Sequence, residues 1–354
     1  MSAAAAQDGR FLELPVSLDF EEANEALYRM GLTDGLPVIP PTPDRVARML
    51  EGLRRDPAES LGALGPGYGQ ATIEKIAVNA VMAGCRPEYL PVVVAAVAAM
   101  TASEFNLYGV NATTHPVSPM LLINGPIAQE LRINSGYNCM GQGWRANATI
   151  GRAIRLVLVN IGGGRPGEGD RATHGTPAKF SFCLAENEIA SPWEPFHVRR
   201  GFAPEQSTVT VHACEAPHEI NNHTSEDGEG VLRTMASTLS TLGHNNGYLG
   251  HGEVAICVGP EHAETMARDG IGIADMQQYL FERAGLPLSE HLAIGRSNYE
   301  GMAAFDDTAE DPFLRLVDRP EDYLLFVAGG VGKHSMAMPT FGHTRSVTRA
   351  IQVD

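Results

Sequence analysis

The sequence predicts an α/β protein with a mixed or mainly parallel sheet flanked by helices, and with a helical N-terminal region. Helical spacing and helix-cap residues dominate the start of the chain, whereas strand-like and helix-like stretches alternate in its second half. Such alternation is typical of sheets whose faces are covered by helices. Hydrophobic residues make up 44% and charged residues 19% of the chain, a balance typical of globular proteins.

Two helices are predicted near the N-terminus, over residues 19–30 and from Pro43 onward. Asp19 is a good helix-capping residue, and Thr42 precedes a proline at the first helical position. The segment 33–41 between these helices contains several prolines, each of which favours extended geometry in the residue before it. We therefore expect an ordered extended connector between the two helices.

An apolar pair of helices follows, over 72–83 and 87–100. Gly84 ends the first helix and Pro87 begins the second, and both helices are apolar enough to be buried. The remaining elements are predicted as strands at 120–124, 180–184, 208–211, 254–258 and 323–327, and as helices near 147–160, 230–242, 261–268 and 274–284.

The length of 354 residues suggests two lobes at about 150 residues each. The softest boundary is 162–175, which is rich in Gly, Arg and Asp. We expect a helical and α/β lobe over 1–165 and an α/β lobe over 166–354.

The net charge limits the classes of binding partner. With 42 acidic and 26 basic residues, the net charge of −16 disfavours nucleic acid and anionic membranes. An anion would have to meet a local positive site. We expect a small-molecule substrate and a homo-oligomer.

Cysteine use and the terminal segment favour a cytoplasmic location. The five cysteines are widely spread without CxxC pairs, as expected of reduced thiols. The first eight residues lack the basic and long apolar regions of a secretory signal. The longest apolar run, 89–100, is interrupted by Pro91 and is shorter than the roughly 20 residues that span a bilayer.

The strongest local signal is the segment 324–335, an apolar strand that opens into a glycine-rich turn. Glycines let main-chain N–H groups approach an anion closely, and a lysine adds positive charge. The pattern differs from a P-loop, which would need Gly in place of Val327 and Ser or Thr in place of His334. A tight turn with solvated polar residues is the alternative. The predicted substrate-binding residues here are Gly329, Gly330, Gly332 and Ser335, and the predicted catalytic residues are Lys333 and His334.

Cys85 is a candidate nucleophile because it precedes an apolar helix and adjoins Arg86. A helix N-terminus and a guanidinium both favour the thiolate. The alternative is a small buried hydrophobic residue. Glu74 and Lys75 on the preceding helix are candidate acids or bases, although adjacent charges on a helix also mark a solvated face.

The segment 136–145 leads into a helix and combines glycines, an aromatic residue and an arginine. Free N–H groups at a helix start can hold a carboxylate or phosphate, so Arg145 and Asn147 are predicted to bind substrate. A purely structural Ω-type loop is equally compatible with this composition.

A transition-metal site is the second choice, and no other cofactor is favoured. His212 and Cys214 would share one face of a strand, and His218 follows in a segment rich in possible ligands. The spacing from His218 to His223 does not match HExxH. The fold would have to supply the remaining ligands, for which the candidates are His115, His244 and His251.

Four segments together carry a resemblance to a known group: 33–42, 74–85, 150–153 and 332–335. The chain resembles a bacterial group whose members are similar to proteins found alongside the UGSC (seleno)protein family. That family carries a cysteine or selenocysteine in a Gly-Ser-Cys context, and this chain has no such segment. The resemblance implies that a separate thiol-bearing subunit completes the site.

These observations favour a small-molecule lyase or hydrolase that acts on an anionic, carboxylate-bearing substrate. No GxGxxG fingerprint that follows a predicted strand and opens a helix supports hydride transfer. The alternatives are a transition-metal enzyme that uses the His/Cys/Glu cluster and a noncatalytic subunit that requires a thiol-bearing partner.

Overall fold

A computed structural model describes residues 19–249, 251–295 and 310–352. The N-terminal segment in which no secretory signal is predicted lies outside these residues. The described helices are α1 (Phe20–Arg29), α2 (Pro43–Leu50), α3 (Ile73–Ala83), α4 (Leu90–Met100), α5 (Leu107–Ala112), α6 (Ile127–Glu130), α7 (Arg145–Asn160), α8 (Phe196–Arg199), α9 (Gly228–Leu239), α10 (Asn245–Leu249), α11 (Pro260–Arg268), α12 (Ile273–Arg283) and α13 (Leu288–Ala293).

The described strands form two four-stranded sheets and two short antiparallel pairs, β1 with β2 and β8 with β9. They are β1 (Ser60–Leu64), β2 (Gly69–Thr72), β3 (Ser118–Asn124), β4 (Cys183–Ala185), β5 (Thr208–Cys214), β6 (His218–Asn221), β7 (Val254–Val258), β8 (Gly285–Pro287), β9 (Phe313–Arg315), β10 (Tyr323–Val327), β11 (His334–Met338) and β12 (Val347–Ala350).

Both larger sheets are mixed. The first has the order β12, β5, β3, β4, with β3 and β4 parallel and the other pairs antiparallel. The second has the order β10, β7, β11, β6, with only β10 and β7 parallel. The predicted mixed α/β class is confirmed. The sequence did not predict that the strands divide between two four-stranded sheets.

The two sheets pack face to face, and helices cover their outer faces. Side chains alternate across each strand, so neighbouring residues enter different cores. On β3, Leu121 joins the core under α4 and α7, whereas Leu122 joins the core between the sheets. On β10, Leu325 faces α12 and Phe326 faces the other sheet. The architecture is therefore four layers, helix, sheet, sheet and helix.

The early helices begin and end at the residues that the sequence indicates. Asp19 caps α1 in a reciprocal capping box with Glu22. The Thr72 side chain accepts the amide of Lys75, the third residue of α3, and Gly84 ends this helix with a φ of 86°. Among the described residues no single helix is long and apolar enough to cross a membrane. One pair of consecutive helices, 87–100 and 103–112, has the length and composition of a span only when taken together, and the two are bent by 77° relative to each other.

The predicted lobe boundary at residues 165 and 166 does not coincide with a division between the sheets. Strand β3 precedes that boundary, yet it pairs with β4 and β5, which follow it. The Gly- and Arg-rich segment lies between β3 and β4, which are neighbours in one sheet. Sequence composition cannot reveal this pairing, because it joins distant parts of the chain.

The two packed sheets share two opposite edges that carry polar residues. At the first, the carboxyl ends of β4 and β10 meet, because the Asn187 amide donates to the carbonyl of Val327. We call this the turn edge. Strand β11 runs from His334 at the turn edge toward Thr340 at the opposite edge, which we call the histidine edge. Six residues of extended chain separate the two edges by about 20 Å.

Candidate functional site

Three loops converge at the turn edge. Loop A (134–144) precedes α7, loop B (186–195) follows β4, and the glycine turn (328–333) joins β10 to β11. Strand β7 lies between β10 and β11, so the glycine turn crosses the carboxyl end of β7. Ligands of α/β proteins commonly bind at the carboxyl ends of strands, and this edge combines several of them.

Main-chain hydrogen bonds fix the three loops to one another. The amide of Gly329 donates to the carbonyl of Ser135 in loop A at 2.8 Å. Asn187 of loop B donates its amide to Val327 at 2.7 Å and its side-chain Nδ2 to the Gly329 carbonyl at 3.5 Å. The turn is therefore held from both sides.

Tyr137 of loop A lies directly against Gly330. A Cβ atom at position 330 would be 2.0 Å from Cδ1 of the Tyr137 ring, so any other residue there would require the ring to move. The ring is nevertheless 67% exposed. Tyr137 thus forms an aromatic wall beside the turn, and sequence reasoning had not singled it out.

The glycine turn presents unpaired donors. Among the described residues, the amides of Gly330, Val331, Gly332 and Lys333 find no hydrogen-bond acceptor, and Lys333 takes part in no ion pair. Gly332 has a φ of 145°, which favours glycine at this position. Successive free N–H groups beside an ammonium are suited to an anion such as a carboxylate.

His334 follows the turn and stands between a carboxylate and a second histidine. Its Nδ1 lies 2.5 Å from Oε1 of Glu219, and its Nε2 lies 3.0 Å from Nε2 of His223. The Glu219 contact is close but not a straight hydrogen bond. The negative charge nevertheless favours a proton on Nδ1, which leaves Nε2 of His334 as the basic nitrogen.

Ser335 lies beneath the turn and holds it in place. Its side chain is 2% exposed, accepts the amide of Gly259 at 3.0 Å and contacts Nδ1 of His262 at 2.8 Å. Nε2 of His262 faces the carbonyl of Asn222 at 3.2 Å, so that nitrogen carries the proton and Nδ1 accepts from the serine. Burial lowers the pKa of His262, in keeping with a neutral ring. Ser335 therefore supports the turn, and the structure does not expose it to substrate as predicted.

Arg145 and Asn147 differ from each other in role. Arg145 is exposed at the first position of α7 and remains available to a ligand. Asn147 is buried, accepts the Asn134 amide at 2.8 Å and donates to the carbonyls of Asn134 and Cys139. It fixes loop A and is buried away from solvent.

Cys85 lies in the outer helical layer. Its Sγ contacts the carbonyl of Thr149 on α7 at 3.2 Å, and burial raises the pKa of the thiol to about 12. Burial outweighs the opposing effect of the Arg152 charge, so this pKa does not support the thiolate that the neighbouring Arg86 predicts. The structure shows Cys85 as a packed thiol that donates to the backbone.

Glu74 and Lys75 occupy the first turn of α3, and Cys85 follows its last turn. Ten residues of helix separate Lys75 from Cys85 by about 15 Å. The Lys75 amide donates to Thr72 as part of the helix cap. These three predicted catalytic residues therefore do not form one site.

Two of the resembling segments meet in the helical layer. Asp34 of the connector makes a two-pronged ion pair with Arg152 of α7 at 2.7 and 2.8 Å. Arg152 also donates to the Pro37 carbonyl. The pair fastens the connector to the helix that follows loop A.

The three predicted metal ligands do not come together. His212 and Cys214 are buried on β5 of the first sheet, whereas His218 is exposed on β6 of the second. No group of three or more His, Cys, Asp or Glu side chains in the described ranges could hold a metal ion. The spacing in sequence could not show that the two strands belong to different sheets.

A buried carboxyl group at the start of loop B was also missed. Glu186 is 4% exposed and accepts from Nδ2 of Asn124 at 2.5 Å and from the Phe196 amide at 2.7 Å. Burial raises the pKa of Glu186 to about 7. The only sequence signal was its place at the end of a predicted strand.

Comparisons with protein-family models, curated proteins and solved structures found no match.

Proposed function

We propose that the chain is a small-molecule enzyme, a lyase or hydrolase, whose glycine turn binds the carboxylate of its substrate. One observation carries this proposal. Four free amides and the Lys333 ammonium lie next to His334, which contacts both Glu219 and His223. Anion binding and proton transfer would then occur on consecutive residues.

The chemistry follows from these groups. A carboxylate at the glycine turn would receive hydrogen bonds from the free amides and charge from Lys333. Nε2 of His334 would remove or deliver a proton on the atom next to that carboxylate, with Glu219 orienting the ring. Negative charge that develops on the substrate would be stabilised by the same amides and by Lys333. His223 would exchange the proton with solvent, since it is exposed.

A noncatalytic subunit that needs a thiol-bearing partner is the second candidate. The five cysteines are free, and burial is the first cause of a raised pKa for each of them: Cys85, Cys139, Cys183, Cys214 and Cys257. A thiol-bearing partner would supply a thiolate more readily than these groups.

Exposed apolar side chains around the turn support a partner or a second copy. Tyr137 is 67%, Ile189 is 84% and Val331 is 71% exposed, and they belong to the three converging loops. Native mass spectrometry would detect a homo-oligomer, and a strictly monomeric species would contradict that prediction.

Titration calorimetry with succinate tests carboxylate binding. Wild type should bind succinate but not the neutral succinamide, and Lys333→Met should weaken binding roughly tenfold through the lost charge-assisted contact. Arg233→Met on the exposed face of α9 is the matched control and should bind like wild type. Equal binding by Lys333→Met and wild type would contradict the proposal.

A further inference from the structure

His262 is buried beneath the turn edge, close to the two exposed histidines His223 and His334. It is the third residue of α11, and its side chain is 1% exposed, so it lies out of reach of a substrate. A buried histidine must find partners for both ring nitrogens, and those partners show what the ring holds in place.

Both ring nitrogens of His262 form hydrogen bonds. Nε2 lies 3.2 Å from the carbonyl oxygen of Asn222, which can only accept, so Nε2 carries the proton. Nδ1 lies 2.8 Å from Oγ of Ser335, so in a neutral ring it accepts the serine hydroxyl. We call Asn222, His262 and Ser335 the histidine clamp.

The two partners of His262 are the sequence neighbours of the exposed histidines. Asn222 precedes His223, and Ser335 follows His334. The Nε2 atoms of those two histidines lie 3.0 Å apart. The clamp therefore connects, through one peptide bond on each side, the two rings between which a proton would pass.

Strand pairing ends where the clamp begins. Strand β6 ends at Asn221, which pairs with His334 of β11. The next contact between the two chains, from the Asn222 amide to the Lys333 carbonyl, is long for a hydrogen bond at 3.4 Å. His223 lies one residue beyond this contact, so the strand pairing contributes little to its position.

The Asn222 side chain fixes the loop that carries His223. Its Oδ1 accepts the Ser225 amide at 2.9 Å, and its Nδ2 donates to Oγ1 of Thr234 on α9 at 2.8 Å. The carbonyl of the same residue accepts from His262 on α11. The loop is thus fastened to two helices of the outer layer immediately before His223.

The end of β7 supports the other side of the clamp. The Gly259 amide donates to Oγ of Ser335 at 3.0 Å. A Cβ atom at position 259 would lie 1.9 Å from the carbonyl oxygen of His334, so these two backbones are in close contact. The backbone of His334 is therefore held by its neighbours, and His262 joins the loop of His223 to this fixed point.

We propose that His262 is a positioning residue that holds Nε2 of His223 within hydrogen-bond distance of Nε2 of His334. The role rests on the proposed function, in which His334 moves a proton and His223 exchanges it with solvent. Without the two hydrogen bonds of His262, the loop that carries His223 separates from β11, and the path between the two rings is broken.

Two variants distinguish this role from simple filling of space. His262→Phe retains a ring but forms neither hydrogen bond. His262→Gln offers an oxygen acceptor and an N–H donor, so it can replace both. His291→Phe is the control, because it changes another buried histidine, on α13, which lies outside the clamp.

NMR of protein labelled with ¹⁵N-histidine measures the contact directly. An N–H···N hydrogen bond between the rings creates a scalar coupling between the two Nε2 nuclei. Wild type, His262→Gln and His291→Phe should show this coupling, and folded His262→Phe should lose it. A coupling retained in folded His262→Phe, or absent from wild type, would overturn the proposal.

Ser335→Ala provides a second test if His262→Phe does not fold. It removes one of the two hydrogen bonds of His262 with a small change in volume, and the coupling should weaken or disappear. An unchanged coupling in Ser335→Ala would also overturn the proposal. The measurement needs no substrate, so a failure of the clamp and a failure of carboxylate binding at the glycine turn are distinguishable.

Discussion

Nδ1 of His334 lies 2.5 Å from Oε1 of Glu219, across the antiparallel pair of β11 and β6. A carboxylate beside one ring nitrogen leaves the other nitrogen as the basic one. That nitrogen lies 3.0 Å from Nε2 of His223, so a proton can pass between the two histidines while the charge of Glu219 acts on the far side of the His334 ring.

Replacing Glu219 by Gln tests this path. The neutral amide no longer favours the proton on Nδ1, and we expect kcat to fall by roughly 10- to 100-fold with a smaller change in KM. Once a substrate is in hand, steady-state kinetics measures the effect. Glu229→Gln on the exposed side of α9 is the control, and an equal loss there would argue against a specific role of Glu219.

Replacing Gly330 by Ala tests the contact with Tyr137. The new methyl group would collide with the ring, and we expect a loss of unfolding free energy of about 1–3 kcal/mol in urea. Adding Tyr137→Ala should restore most of that loss. A double variant no more stable than Gly330→Ala would mean that another contact excludes the side chain.

Glu186 makes stability depend on pH. Its folded-state pKa is raised to about 7 from 4.5, so the folded protein holds the proton more tightly than the unfolded chain. The associated stability is complete below pH 4.5 and is lost as the pH rises toward about 7.

Glu186→Gln should remove this loss, which amounts to on the order of 3 kcal/mol between the two limits. Urea unfolding at pH 4.5 and pH 8 measures it. Wild type should lose more stability than the variant over this interval, and parallel losses would show that Glu186 is not the group responsible.

The cysteines should react slowly in the folded protein. Burial raises the pKa of Cys85 to about 12 and of Cys139 to about 11, so little thiolate exists at pH 7. Iodoacetamide labelling followed by mass spectrometry should show little modification until urea is added. Rapid labelling of Cys85 in native conditions would instead restore it as a candidate nucleophile.

Local signals made much of the fold predictable. Asp19 and Thr72 cap the N-termini of α1 and α3, and Gly84 ends α3. Each of these signals lies within a few residues of the helix end that it marks. The glycine turn was predictable for the same reason, since an apolar strand leads directly into it. The existence of two sheets was not, because it depends on pairings such as β3 with β5.

The site was predictable only in part. Lys333 and His334 stand in a recognisable local pattern, but Glu219, His223 and Tyr137 reach them through the fold. Cys85 had the local features of a reactive thiol, and packing against α7 reverses the expected shift of its pKa. Burial is a property of the whole structure and is not encoded by neighbouring residues alone.

The central claim is that the glycine turn binds a carboxylate. The most direct measurement is a titration of ¹⁵N-labelled protein with succinate, followed through the backbone amide resonances. Saturable shifts should centre on Gly330, Val331, Gly332 and Lys333, whose amides have no acceptor among the described residues. Shifts that leave these four amides unchanged while others saturate, or no saturable shift at all, would contradict the account.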